Sequence, residues 1–311
     1  MASTASCGTR PPGMAGTAAV SPVALPGRAS GFVAAALAAH PGPATVLGCF
    51  PTACYLELAT GEVVAILTSD AVALPIGIVL DTPSWHFSLA DWTGPATISA
   101  DSAVCVGEHV VHLAAVRDVE LPFVGTPQPA ALTWLDRWLA PYLPLLELPW
   151  AAGPGSGATA CEPAEWVRNL LGRGPGLTPS GDDLLCGLIA GGRLFGRHID
   201  AHRNEIGRIL RDRPRATTSL SRQLLLRACA GEGIRELVEL GRALCMPAVP
   251  AEWVDLHSVD LHRATAALTA IGHSSGVALT TGMLAAATLT AEPVGPVVSH
   301  HQRDIGTRGC G

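Results

Sequence analysis

Gly172-Arg-Gly-Pro-Gly-Leu-Thr-Pro-Ser-Gly-Asp-Asp183, running directly into Leu184-Leu-Cys-Gly-Leu-Ile-Ala190, divides the 311-residue chain into two kinds of sequence. Upstream, from Ala44 to about Pro122, short apolar or alternating runs such as TVLGCF, CYLELATGEVVAIL and HVVHLAAV are separated by Pro, Gly and Asp turns. This pattern predicts about six to eight strands. Downstream, apolar residues recur at helical spacing, which predicts helices over roughly 162–171, 182–196, 200–211, 219–230, 232–244, 251–271 and 277–289. The expected fold class is therefore α+β, with a β-rich N-terminal half followed by an α-helical C-terminal half. In outline, 1–28 is an Ala/Gly/Pro/Ser-rich disordered segment, 29–150 a β-rich domain, 151–160 (AAGPGSGATA) a linker, 161–292 a helical domain and 293–311 a flexible tail.

Around the dividing stretch, Gly174, Gly176 and Gly181 allow tight turns while Thr178 and Ser180 supply hydroxyls. Free N–H groups at the start of the next helix favour an anion there. Asp182 and Asp183 already put negative charge at that start. One can serve as an N-cap, and the other is then oriented to a substrate N–H, an arginine or a metal-bridged phosphate. The two are the candidate catalytic carboxylates.

An internal echo strengthens this reading. Thr178-Pro-Ser180-Gly181 with Leu184, Gly187 and Ala190 recurs as His273-Ser-Ser275-Gly276 with Leu279, Gly282 and Ala285. Each copy predicts a Ser-Gly turn at a helix start, then small residues that let two helices cross closely. A third hydroxyl-rich helix start, Thr217-Thr218-Ser-Leu-Ser221-Arg222, suits a phosphate or carboxylate. The candidate binding residues are Gly174, Gly176, Thr178, Ser180, Gly181, Thr217, Thr218, Ser221, Arg222, His273, Ser275 and Gly276. Ser180, Ser221 and Ser275 are expected near one another.

Several functions are excluded or disfavoured. The chain contains no lysine, so Schiff-base and Walker-type lysine chemistry are absent. A net charge of −6 without a basic run argues against nucleic acid or an anionic membrane as partner. The apolar stretch 264–291 is interrupted by Gly272-His-Ser-Ser-Gly276 and reads as two helices meeting at a turn. That turn also matches the G-x-S-x-G elbow of serine hydrolases, but a helix rather than a strand is expected before it. The nine cysteines show no C-x-x-C pair and read as reduced, buried thiols of a cytoplasmic protein. No resident cofactor or metal is expected, although a divalent metal is compatible with a phosphate ligand.

The string from Leu171 to Asp183, followed by Thr217-Thr-Ser-Leu-Ser221 and Gly272-His-Ser-Ser-Gly276, resembles the AllH-like subunit family of oxamate carbamoyltransferase. Cys49-Phe50-Pro51-Thr-Ala53 and Leu74-Pro75-Ile-Gly77 fall in the family's order. Two positions depart from its pattern: Tyr55, where Asn is common, and Val277-Ala278, where an acidic residue often stands. The resemblance implies carbamoyl transfer between oxalurate and phosphate, giving oxamate and carbamoyl phosphate, within a complex of unlike protein subunits and in purine (allantoin) catabolism. The partner molecules would be a small anionic substrate and those subunits. The rival reading is a non-catalytic anion-binding or assembly subunit.

Overall fold

The computed structural model describes residues 24–148, 162–247 and 254–289. Eight strands are formed in the first part: β1 (Ala24–Ala29), β2 (Gly42–Phe50), β3 (Ala53–Leu58), β4 (Val63–Leu67), β5 (Gly77–Leu80), β6 (Ala96–Ile98), β7 (Val104–Val106) and β8 (His109–Val116). They close into a barrel in the order β1-β5-β4-β3-β2-β6-β7-β8. Most neighbours are antiparallel, but β1–β8 and β4–β5 are parallel. Closure leaves no open edge for another chain to pair with.

Alternation along β4 explains how the barrel faces two cores. Val64 and Ile66 point into the barrel with Cys54, Leu56, Ile78 and Val104. Val63, Ala65 and Leu67 point outward and pack with Leu220 of the helical part, so all five residues are buried. Helix α1 (Gly31–Ala39), capped by Ser30, buries Val33, Ala36 and Leu37 in the barrel core.

The second part contains α2 (Pro129–Leu139), α3 (Pro163–Leu170), α4 (Ser180–Phe195), α5 (Asp200–Asp212), α6 (Ser219–Cys229), α7 (Arg235–Cys245), α8 (Val254–Thr269) and α9 (Ser275–Ala287). Strands over 24–116 and helices over 129–287 give the expected α+β division. Helix α4 is buried on nearly every side, and its centre is correspondingly apolar all round.

Helices α4 and α9 cross through small residues. A Cβ on Gly187 would lie 2.0 Å from the Leu279 carbonyl oxygen, and one on Gly282 would lie 2.0 Å from that of Leu184. In the internal echo Gly187 corresponds to Gly282 and Leu184 to Leu279, so these contacts are reciprocal. Gly181 and Gly276 are equivalent too: each packs on a carbonyl of the preceding helix, Leu170 and Leu268 respectively. The sequence echo is a pseudo-two-fold pair of helix–turn–helix units.

Two local expectations change, and a third is met. β1 starts at Ala24, inside the segment assigned to a disordered end, because its backbone pairs with both β5 and β8. Cys49 and Cys54 are disulfide-bonded rather than reduced, because the β2–β3 register sets them directly opposite one another. The apolar stretch near the end does form two helices around a turn, and no helix among the described residues is long and apolar enough to cross a membrane. The segments 1–23, 151–160 and 293–311 lie outside the described residues.

Candidate functional site

The starts of α4, α6 and α9 converge. The loop leading into α4 turns through left-handed backbone at Gly172, Gly174 and Gly176. At Gly172 (φ 76°) a Cβ would sit 2.2 Å from the Ala216 carbonyl oxygen, so only glycine lets this loop lie against the α5–α6 connection. Across the helix starts, the Thr178 and Ser275 hydroxyls are 3.1 Å apart, and those of Ser180 and Ser274 are 3.3 Å apart. Thr218 caps α6 by accepting from the Ser221 N–H at 3.1 Å, and its own hydroxyl donates to the Leu177 carbonyl at 2.6 Å.

The two adjacent carboxylates do different work. Asp182, 1% exposed, accepts the Gly172 N–H at 2.7 Å on Oδ1 and the Thr217 hydroxyl on Oδ2, and the Ser221 hydroxyl is also close enough to act on it. It therefore stitches the α4 loop to the start of α6. Burial raises its pKa, while those three donors pull in the other direction. Asp183 lacks such a set. Its Oδ2 has no hydrogen-bond partner among the described residues, although Ser275 and Thr178 are near enough to favour the charged form. Burial, with the neighbouring Asp182 charge adding to it, pushes the Asp183 carboxyl up to about 7.

Asp183 faces a cavity of about 340 Å³ between the barrel and the helices. Thr52, Ala53, Tyr55, Leu74 and Pro75 form the barrel wall; Thr178, Asp183, Cys186, Gly272, Ser275 and Glu232 form part of the helical wall. Burial raises the Tyr55 hydroxyl and the Glu232 carboxyl, and raises the Cys186 thiol well above its ordinary value, helped by both aspartates. Cys186 is thus held as a neutral thiol and is unsuited to act as a nucleophile. A carboxyl titrating near neutrality beside hydroxyls can accept a hydrogen bond from a ligand N–H when ionised, or deliver a proton when protonated.

Of the residues singled out in the sequence, Asp183, Thr178 and Ser275 line this cavity. Ser180, Ser221, Gly181 and Gly276 are buried in the helix junction; Gly174, Gly176 and His273 are exposed on the turns; Arg222 is half-buried, with its Nε unpartnered among the described residues. The simple picture of an anion on the α4 amides meets a physical obstacle. The Gly181 N–H donates to Arg173 O at 2.8 Å, and those of Asp182 and Asp183 donate to Pro179 O at 2.9 and 3.1 Å. At α9 the Gly276 N–H is likewise committed, to Ile271 O. The sequence reasoning missed Cys186, although it stands three residues after Asp183 and so on the same helix face. It also missed Glu232 as a wall residue, for which local sequence gives no signal, and Thr52, which lies within the Cys49–Ala53 string.

The glycine loop, the paired aspartates, the Thr217–Ser221 helix start and the second Ser-Gly turn thus form one connected unit. Residues 170–287 match the AllH family, oxamate carbamoyltransferase subunit AllH. This match contains α4 to α9 and the helical wall of the cavity. It stops short of the barrel, so the likeness read at Cys49–Ala53 and Leu74–Ile78 lies outside it, even though Thr52, Ala53, Leu74 and Pro75 border the same cavity. No curated protein and no solved structure matches the chain.

Ser274 follows helix α8 rather than a strand, and its hydroxyl meets that of Ser180, so the strand–turn–helix of a hydrolase elbow is not formed. Among the described residues no group of three or more His, Cys, Asp or Glu could hold a metal ion.

Proposed function

We propose that the chain is a carbamoyltransferase-type subunit whose barrel–helix cavity takes the amide end of a small carboxylate of the oxamate/oxalurate class. The observation that carries this reading is Asp183, a buried carboxyl raised to about 7 with one oxygen unpartnered, on the wall of a cavity of small-molecule size. In the direction of transfer from carbamoyl phosphate, the ionised carboxylate accepts the proton of the ligand N–H as nitrogen attacks the carbamoyl carbon. The new C–N bond forms, the C–O bond to phosphate breaks, and phosphate departs with the electron pair. In reverse, protonated Asp183 returns the proton to the departing amide nitrogen. In this reading the Thr178 and Ser275 hydroxyls, which bond one another at 3.1 Å beside Asp183, would turn to the ligand's carboxylate or carbonyl oxygens once it is bound.

The matched family is that of an enzyme subunit, which favours protein partners; unlike subunits, acting in the cytoplasm, are part of this proposal. The test is oxalurate phosphorolysis and oxamate binding by the chain together with its partner subunits, wild type against Asp183→Asn. A fall of about a hundredfold or more in rate with the fold retained is expected, in the range for loss of a general acid–base group. Unchanged rate and unchanged oxamate binding would sink the assignment.

A further inference from the structure

The helical part carries a second concavity whose chemistry is opposite to that of the Asp183 cavity. It lies between the end of α3 with its following loop and the α5–α6 connection, has a volume of about 730 Å³, and is lined by Arg168, Arg173, Arg213 and Arg215. The cavity at Asp183 has two carboxyls and no arginine in its wall; this cleft has four arginines and no acid. Arg168 is paired with Glu205 at 2.9 Å. Arg173, Arg213 and Arg215 form no ion pair among the described residues, and all three are exposed. The local excess runs against the whole-chain charge of −6: residues 208–222 hold five arginines and a single acid, Asp212, which pairs with Arg208.

The cleft is also preorganised. Its two walls are joined at Gly172 and Ala216, where only a glycine fits, and the buried Asp182 carboxylate holds the Gly172 N–H on one wall and Thr217 beside the other. The backbone that carries Arg173, Arg213 and Arg215 therefore needs little ordering before a ligand arrives, and only their exposed side chains are ordered by the ligand itself. Leu171 and Pro214 give it an apolar patch as well.

We infer that this cleft binds an oligophosphate of small-molecule size, a diphosphate or a nucleoside di- or triphosphate, held by Arg173, Arg213 and Arg215. Three uncommitted guanidiniums match more charge than one carboxylate carries, and planar donors suit phosphate oxygens bidentately. The volume falls within the range of small-molecule sites and is far larger than a single phosphate needs, while an acidic protein segment has no need of such a hollow. The site is separate from the Asp183 cavity and does not depend on the carbamoyl reading.

Isothermal titration of the full chain with pyrophosphate and with ATP, in EDTA at low and at raised ionic strength, tests the assignment. Saturable binding tighter than about 1 mM is expected at low salt, weakening as salt rises. Arg173→Gln, Arg213→Gln and Arg215→Gln alter exposed side chains and should each weaken it about tenfold. Asp183→Asn should bind both ligands as wild type does, so failure of the carbamoyl chemistry and failure of this site are distinguishable. No saturable binding, arginine variants that bind normally, binding that requires Mg²⁺, or binding of an acidic peptide in place of pyrophosphate would each overturn the inference.

Discussion

Asp182 and Asp183 are neighbours in sequence with different fates, because successive helical residues point about 100° apart. Asp182 has its oxygens occupied by a backbone N–H and hydroxyls, whereas Asp183 is buried against a cavity with an oxygen unpaired. This difference has a sign in the pH dependence of stability. The folded pKa of Asp183, about 7, lies above its ordinary value of 3.8, so between about pH 4 and pH 7 the folded state binds more protons than the unfolded one. Its contribution is fully present below about pH 4 and is lost as pH rises to about 7, by an amount on the order of 4 kcal/mol. Asp183→Asn should therefore flatten the stability profile across that window and raise stability at pH 8, read by denaturant titration at a series of pH values. A variant with the wild-type slope would show that the carboxyl is not held neutral by the fold. The sequence made this pair stand out, since two acids at a glycine-rich helix start exceed what capping needs. Which of the two would be unpaired was not legible, because that depends on Thr217, from another helix start, and on the cavity wall.

At the scale of elements, the 95-residue offset between Gly187 and Gly282 was visible in the sequence and is realised as the reciprocal α4–α9 crossing. Alanine at either position gains about 1 kcal/mol of helix propensity, yet its methyl would lie 2.0 Å from a carbonyl oxygen of the other helix. Forcing the helices apart costs about 1–3 kcal/mol or more, so the clash wins. Gly187→Ala and Gly282→Ala should each lower the melting temperature. Gly207→Ala on α5, which would meet only the flexible end of Arg211, should raise it. Equal shifts in all three would remove the close crossing. The C-terminal helices were readable because their apolar positions repeat at helical spacing between clear breaks. Helix α1 was not: Gly31–Ala39 (GFVAAALAA) is an uncharged run with no polar face, so although its alanines favour a helix and Ser30 caps it, no amphipathic period marks it. The disulfide was hidden for a related reason, since facing one another across β2–β3 is a property of register rather than of spacing.

At the scale of the whole molecule, the closed barrel could not be read from the chain, because the parallel β1–β8 and β4–β5 pairings join segments that no short turn connects. Those pairings matter for function, since they present the outer face of β3 and β4 to the helices as one wall of the cavity. Ala53, 6% exposed, stands on that wall. Ala53→Phe should fill the cavity and abolish stabilisation by oxamate in a thermal-shift titration, while far-ultraviolet circular dichroism stays as in the wild type. Retained stabilisation would move the ligand elsewhere. The α4–α9 crossing carries a further consequence for the chain as it is made. When the last residue of α4 has just been joined, the helix that covers its glycine face and brings Ser275 to the cavity still begins about 80 residues further along the chain. Until then Asp183 lacks that cover and the Ser275 hydroxyl beside it. Long-range closure of this kind is slow and comes late, so the nascent protein acquires its neutral-pH proton site only with the docking of its last described helix.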